Sequence, residues 1–225
     1  LLPVRILFGM VLTLSIFQDQ SSLIDTKIIT SSIGVMLVVK EIAIGLSAGL
    51  VLTIWFSAAS LAGEKIASTS GLAFAAQVDP NTGSSTPVIS QILMLFLLVI
   101  FLAIDGHLIV IRTMLDSYEY INIDSMPTLD ILIQTGIGAA GSMFLAATII
   151  MLPVSVLLLM VNVSIGVMTR SAPTLNLFSF GFPITLLGTF IFLYFSASSI
   201  GFAMSDLVEA AIISMQDMIW GINYG

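Results

Sequence analysis

Cysteine is absent from this chain, histidine occurs once, and lysine and arginine together occur only six times. Each scarcity excludes a class of function. Without cysteine there are no disulfides, no thiolate metal sites and no thiol nucleophile. A single histidine rules out a multi-histidine metal centre within the chain, and it leaves little to activate a serine in Ser21-Ser22, Ser31-Ser32 or Ser84-Ser85, none of which stands in a G-x-S-x-G setting. No P-loop and no dinucleotide fingerprint is present. Six basic residues against thirteen acidic ones give a net charge of −7, and the few cations are scattered. Nucleic-acid binding needs them clustered against phosphates. The reading is of a non-enzymatic protein that takes no cofactor and no metal.

What is abundant is apolar sequence. Hydrophobic residues make up 58% of the chain and charged residues 8%, too few charges to cover a water-soluble surface. Charged residues divide the chain into apolar runs at about 1–17, 28–62, 88–111, 131–168 and 178–204, with an amphipathic tail to about Trp220. These runs exceed the length of barrel strands, so the expected architecture is all-α, a membrane-associated bundle of long, partly kinked helices and helical hairpins. The first run lacks a basic leader and a small-residue cleavage site, so no cleaved signal peptide is evident.

From Ile131 to Thr169 no charge occurs at all. A continuous helix over that stretch would measure roughly 58 Å, against about 30 Å of hydrocarbon. A hairpin, a kink at Pro153, or cover from other subunits would each accommodate the excess. Leu152-Pro153-Val154-Ser155 makes a poor polar turn, which favours one long helix, then a loop over 170–183, then a second long helix from about Ile184 to Ile219. Small residues at Gly45 and Gly49, Ala59 and Gly63, Gly138 and Ser142, and from Ser196 to Ser199 with Gly201, are spaced for close helix contact. Lipid supplies no hydrophobic drive between helices, so such packing matters.

Residues 71–87, GLAFAAQVDPNTGSSTPV through the proline, form a polar interruption punctuated by Gly71, Pro80, Gly83 and Pro87, with Asp79-Pro80-Asn81 as a turn opener. Irregular backbone at membrane depth is tolerated only inside protein or beside water. The segment therefore points to a pore, a re-entrant loop or a site. Gly71, Phe74, Val78, Asp79, Pro80, Gly83 and Pro87 are the candidate gate residues. Met36, Met94, Met151 and Met160 lie in apolar runs and are expected to pack rather than gate.

Ionisable residues within apolar sequence are functional candidates by default. Lys40, Glu41, Glu64, Asp105, His107 and Arg112 are expected in polar contacts, either at the membrane interface, where lysine snorkels, or between subunits. Asp105 and His107, two apart, would point to different helix faces unless the helix breaks at Gly106. Arg170, Pro173, Asn176, Phe182 and Pro183 mark an inter-helix loop. The segment between Asp116 and Asp130 carries no lysine or arginine, so the positive-inside rule favours Arg170 on the cytoplasmic side.

Three blocks in order, GLAFAAQVDPNTGSSTPVISQ, FLAIDGHL and VNVSIGVMTRSAPTLNLFSFGFPITLL, resemble the FliR family of the bacterial flagellar export apparatus, which has counterparts in virulence-type secretion systems. The resemblance runs over nearly the whole chain, with the family's first apolar segment missing and Leu1-Leu2-Pro3-Val4-Arg5 similar to the run into a second helix. It implies a FliP-like helical part over 1–128, with the 71–87 segment as a plug, and a FliQ-like long helix pair over 129–225. It also implies one copy in a helical ring with FliP and FliQ, contacts with FlhB, FlhA and the flagellar rod and basal body, unfolded export substrates, and a place in the bacterial inner membrane. A proton- or ion-coupled secondary transporter using Glu41, Asp105 and His107 is the alternative, although paired broken helices in two halves, the mark of that class, are not evident.

Overall fold

The computed structural model describes residues 2–20, 32–71, 87–120, 129–171 and 180–224. Within them the chain is all-helical: α1 (Leu2–Gln20), α2 (Ser32–Thr69), α3 (Val88–Ala103), α4 (Gly106–Tyr120), α5 (Leu129–Ser171) and α6 (Phe182–Tyr224). The all-α expectation holds. Among the described residues, three helical stretches are long and apolar enough to cross a membrane, Gly34–Thr69, Ile131–Ser171 and Phe182–Gly221, and α3 with α4 makes a fourth if the bent pair is one span.

The charge-free run is one helix. α5 extends for 43 residues with Pro153 inside it, about 65 Å at 1.5 Å per residue. Proline removes one backbone donor, a loss that membrane helices absorb through neighbouring groups. α6 is equally long at 43 residues and returns antiparallel to α5. α2 packs against both, and α3 packs on α2 and α6. At one end of the bundle Ile44 and Ala48 of α2 meet Ala139 of α5 and Met215, Met218 and Ile219 of α6. A larger cluster joins Ala58, Ala59, Ala62, Ile66 and Ala67 to Leu93, Leu97, Val154, Leu158, Met204 and Val208.

The alanine face of α2 explains how these helices come so close. Ala58, Ala59, Ala62 and Ala67 are fully enclosed, and a Cβ on Gly63 would collide with Cα of Ser90 on α3. The Ser90 hydroxyl donates to the Ser60 carbonyl at 3.0 Å, tying the two helices. Of the other small-residue positions, Gly201 meets Phe96, while Gly45, Gly49 and Gly138 have nothing within 4 Å. Their faces are open in the single chain. The methionines also divide: Met151 packs on the core, Met36, Met94 and Met160 lie on exposed faces, and Met204, Met215 and Met218 are buried.

Expected as one run, residues 88–111 are broken. Ile104 and Asp105 lie between two helices that meet at 63°. Asp105 has φ 57°, a left-handed conformation that costs a side-chain-bearing residue energy but suits aspartate better than most. Its carbonyl accepts from the N–H groups of Leu108 and Ile109 and so starts α4. Gly106 is required there, because a Cβ would lie 2.5 Å from the Phe101 ring.

Candidate functional site

The most constrained polar constellation lies where α2 ends and the 71–87 segment begins. A helix terminus leaves its last carbonyls without intrahelical donors, and an apolar bundle makes each unpaired one costly. Here each is met. Ser70 N–H donates to the Ile66 carbonyl at 2.9 Å and Gly71 N–H to the Ser68 carbonyl at 3.2 Å. The Ser70 hydroxyl donates to the Ala67 carbonyl at 2.8 Å. The final two carbonyls are taken by other helices. Asn162 of α5 donates through Nδ2 to the Thr69 carbonyl at 2.9 Å, and Thr185 of α6 donates through Oγ1 to the Ser70 carbonyl at 3.0 Å.

Gly71 closes the helix with φ 80°, the left-handed C-terminal conformation that glycine adopts without a Cβ penalty. The Phe182 ring lies 3.5 Å from where its Cβ would be. Ser70, Thr185 and Thr189 are buried, and Thr189 Oγ1 donates to the Thr185 carbonyl at 2.7 Å. Two helices that are far from α2 in sequence thus hold its end.

At the other side of the segment, Pro87 precedes α3 in an extended conformation, and its carbonyl accepts from Gln91 N–H at 3.3 Å. Because α3 is fixed to α2 through Ser90 and Gly63, both ends of the segment belong to one end of the bundle. Phe74, Val78, Asp79, Pro80 and Gly83 lie outside the described residues, as do Pro173 and Asn176. Of the expected inter-helix loop, Arg170 is exposed on α5, while Phe182 and Pro183 form the start of α6, Pro183 exposed and Phe182 seated on Gly71. Gly71 and Phe182, the described residues that border the two segments singled out in the sequence, therefore meet at one end of the bundle.

The expected polar-contact residues are dispersed. Lys40 is 4% exposed. Glu41 is exposed near the start of α2. Glu64 is exposed on α2. Asp105 is exposed at the bend, whereas His107 is half-buried, its Nδ1 enclosed without a hydrogen-bond partner and its ring 6.4 Å from that of Phe101. The break does come beside Gly106, and it does not bring the two side chains into a common hydrogen bond. Arg112 pairs within its own helix with Asp116 at 3.6 Å, and its side chain is 84% exposed, so the pair contributes little. Among the described residues, no group of three or more histidine, aspartate or glutamate side chains could hold a metal ion.

Asn162, Thr185 and Ser70 were not candidates in the sequence. Asn162 carries a legible signal, an amide inside a charge-free run, which must find a partner helix or lose its hydrogen bonds to lipid. Threonine and serine give no such signal, because they bond to their own helix elsewhere in this chain, as Thr53 does to Gly49.

Residues 2–211 match the model of the bacterial export proteins, family 1. The chain is 36% identical over 163 residues to the flagellar biosynthetic protein FliR of Pectobacterium carotovorum subsp. carotovorum, covering 72% of this chain and 62% of that protein. It is 32% identical over 185 residues to the FliR protein of Escherichia coli strain K12, covering 82% and 70%. The surface presentation of antigens protein SpaR of Shigella flexneri is 29% identical over 170 residues, covering 74% and 64%. The matched region thus spans about two thirds of the length of these relatives. With a family match running from α1 well into α6, the chain belongs to the bacterial export proteins, family 1.

Proposed function

We propose that the chain is a non-enzymatic subunit of the flagellar type III protein export gate, forming with FliP and FliQ the channel through which unfolded flagellar proteins cross the inner membrane, with the 71–87 segment as its plug. Relatives that carry the name flagellar biosynthetic protein FliR support the export assignment. The observation that carries the gate reading is the anchored end of α2. A plug must start from a fixed point, and the donors from α5 and α6 on Thr69 and Ser70 supply one.

Helix length supports an assembly. Spans of 36, 41 and 40 residues are about 54–62 Å long and exceed a bilayer core. Large side chains such as Tyr194, 78% exposed, and Phe195 and Phe202 stand open along α6. On this reading the excess is covered by FliP and FliQ, residues 1–128 act as the FliP-like part, and 129–225 act as the FliQ-like pair. FlhB docks on the Arg170 side, and FlhA and the basal body are further partners.

A proton- or ion-coupled transporter is disfavoured, because Glu41 and Asp105 are exposed and the enclosed Nδ1 of His107 has no hydrogen-bond partner among the described residues to begin a relay. Co-purification tests the assignment. A tagged copy expressed with FliP and FliQ should bring down both in one complex of fixed composition. Recovery of the chain alone, under conditions in which FliP and FliQ still join each other, contradicts it.

A further inference from the structure

We propose that Asn162 and Thr185 are positioning residues for the gate, a releasable clamp that sets where the chain leaves α2 at Gly71. The proposal rests on the plug reading above and assigns the control of that segment to two side chains outside it. Both act through backbone carbonyls, Asn162 on Thr69 at 2.9 Å and Thr185 on Ser70 at 3.0 Å, so neither depends on which side chain stands at positions 69 or 70. Each comes from a different long helix. A change in the spacing of α5 and α6 therefore reaches the end of α2 directly.

The geometry at Thr185 makes its half of the clamp releasable. Its Oγ1 lies 3.0 Å from the Ser70 carbonyl and also 3.0 Å from the Phe182 carbonyl one turn earlier in its own helix. A hydroxyl has one hydrogen to donate. When Ser70 moves away, that hydrogen turns wholly to Phe182, and the buried threonine keeps a partner. Only the Ser70 carbonyl is then left to find a new donor, and once moved out of the bundle it finds water. The usual cost of breaking a buried hydrogen bond falls on two groups; here it falls on one. Phe182 on Gly71 adds a packing contact that the same displacement breaks.

The absence of native cysteine allows a direct test. Ser70→Cys replaces a buried side chain with one of similar size, and in the assembled complex its thiol should resist a water-soluble maleimide. Adding Asn162→Leu and Thr185→Val should raise the labelling rate about tenfold or more, as loss of two hydrogen bonds implies, whereas Thr185→Ser, which keeps the hydroxyl, should not. Without the cysteine, the Leu/Val pair should increase ion leak across the membrane, and it should add no leak to a chain already lacking Val78–Ser85.

Unchanged labelling overturns the clamp. Raised labelling with no leak, when the Val78–Ser85 deletion does leak, overturns the positioning role and leaves two structural hydrogen bonds. If the deletion itself does not leak, the plug reading fails and the positioning role fails with it. Where the Leu/Val pair does not assemble, Thr185→Val alone, which removes only the hydroxyl, gives the same readouts.

Discussion

Gly63 and Ser90 are in backbone contact: the space a Cβ on Gly63 would fill is occupied by Cα and N of Ser90. Backbone cannot swing aside as a side chain can. Gly63→Ala should therefore push α3 off the alanine face of α2, at a cost of about 1–3 kcal/mol. Gly45→Ala, which meets open space, should be neutral or slightly stabilising in the isolated chain. Thermal denaturation of the detergent-solubilised protein separates the two, and equal midpoints would contradict the close approach.

At the bend, Asp105 and Gly106 make opposite demands. Asp105 holds φ 57°, so Asp105→Gly should be tolerated and Asp105→Val should cost about 1–2 kcal/mol. Gly106→Ala should be destabilising because of the Phe101 ring, and Phe101→Ala in the same chain should recover part of that loss. Failure of the second change to help would place the constraint on Gly106 elsewhere.

Asp206, Glu209 and Asp217 are all exposed on α6 and, with Phe202, Ile213 and Trp220, follow one face of it. Carboxylates facing hydrocarbon are costly, so this half of α6 is expected outside the lipid, with the stretch around Leu187 to Phe195 inside it. Single cysteines replacing Asp206 and Asp217 should react with a charged maleimide in membranes containing this chain alone. Cysteines at Leu187 and Tyr194 should react at least about tenfold more slowly. Comparable rates at all four would contradict this placement.

Because Asp105 and His107 share no hydrogen bond, neither is expected to serve a proton path. Asp105→Asn and His107→Gln should each leave the pH dependence of export unchanged, with rates within about twofold of the parent chain, as for substitutions away from a site. A shift of the pH profile in either variant would revive the transporter reading.

Much of the fold was legible because apolar length is a strong signal. The charge-free run from Ile131 to Thr169 offers no polar turn, and it is one helix. The break in 88–111 was foreshadowed only by Gly106. The break itself falls at the left-handed Asp105, and the Phe101 ring fills the space that a Cβ on Gly106 would take. The helix-end clamp was harder to read. Ser70 and Thr185 are 115 positions apart, and nothing in their neighbourhoods distinguishes a hydroxyl that bonds across helices from one that bonds back on its own turn. Lys40 illustrates the same limit, since its place beside Glu41 suggested an interface or subunit contact, yet the chain itself encloses it. Phe182, expected in a loop, opens a helix and covers Gly71 because it belongs to the same end of the bundle.

Removing Val78–Ser85 and measuring ion leak across the inner membrane, together with export of flagellar subunits, tests the gate most directly. With the complex still assembled, the account predicts a marked rise in leak. An intact complex that leaks no more than the parent and exports as before would contradict the plug and leave the anchored end of α2 as a packing feature of the bundle.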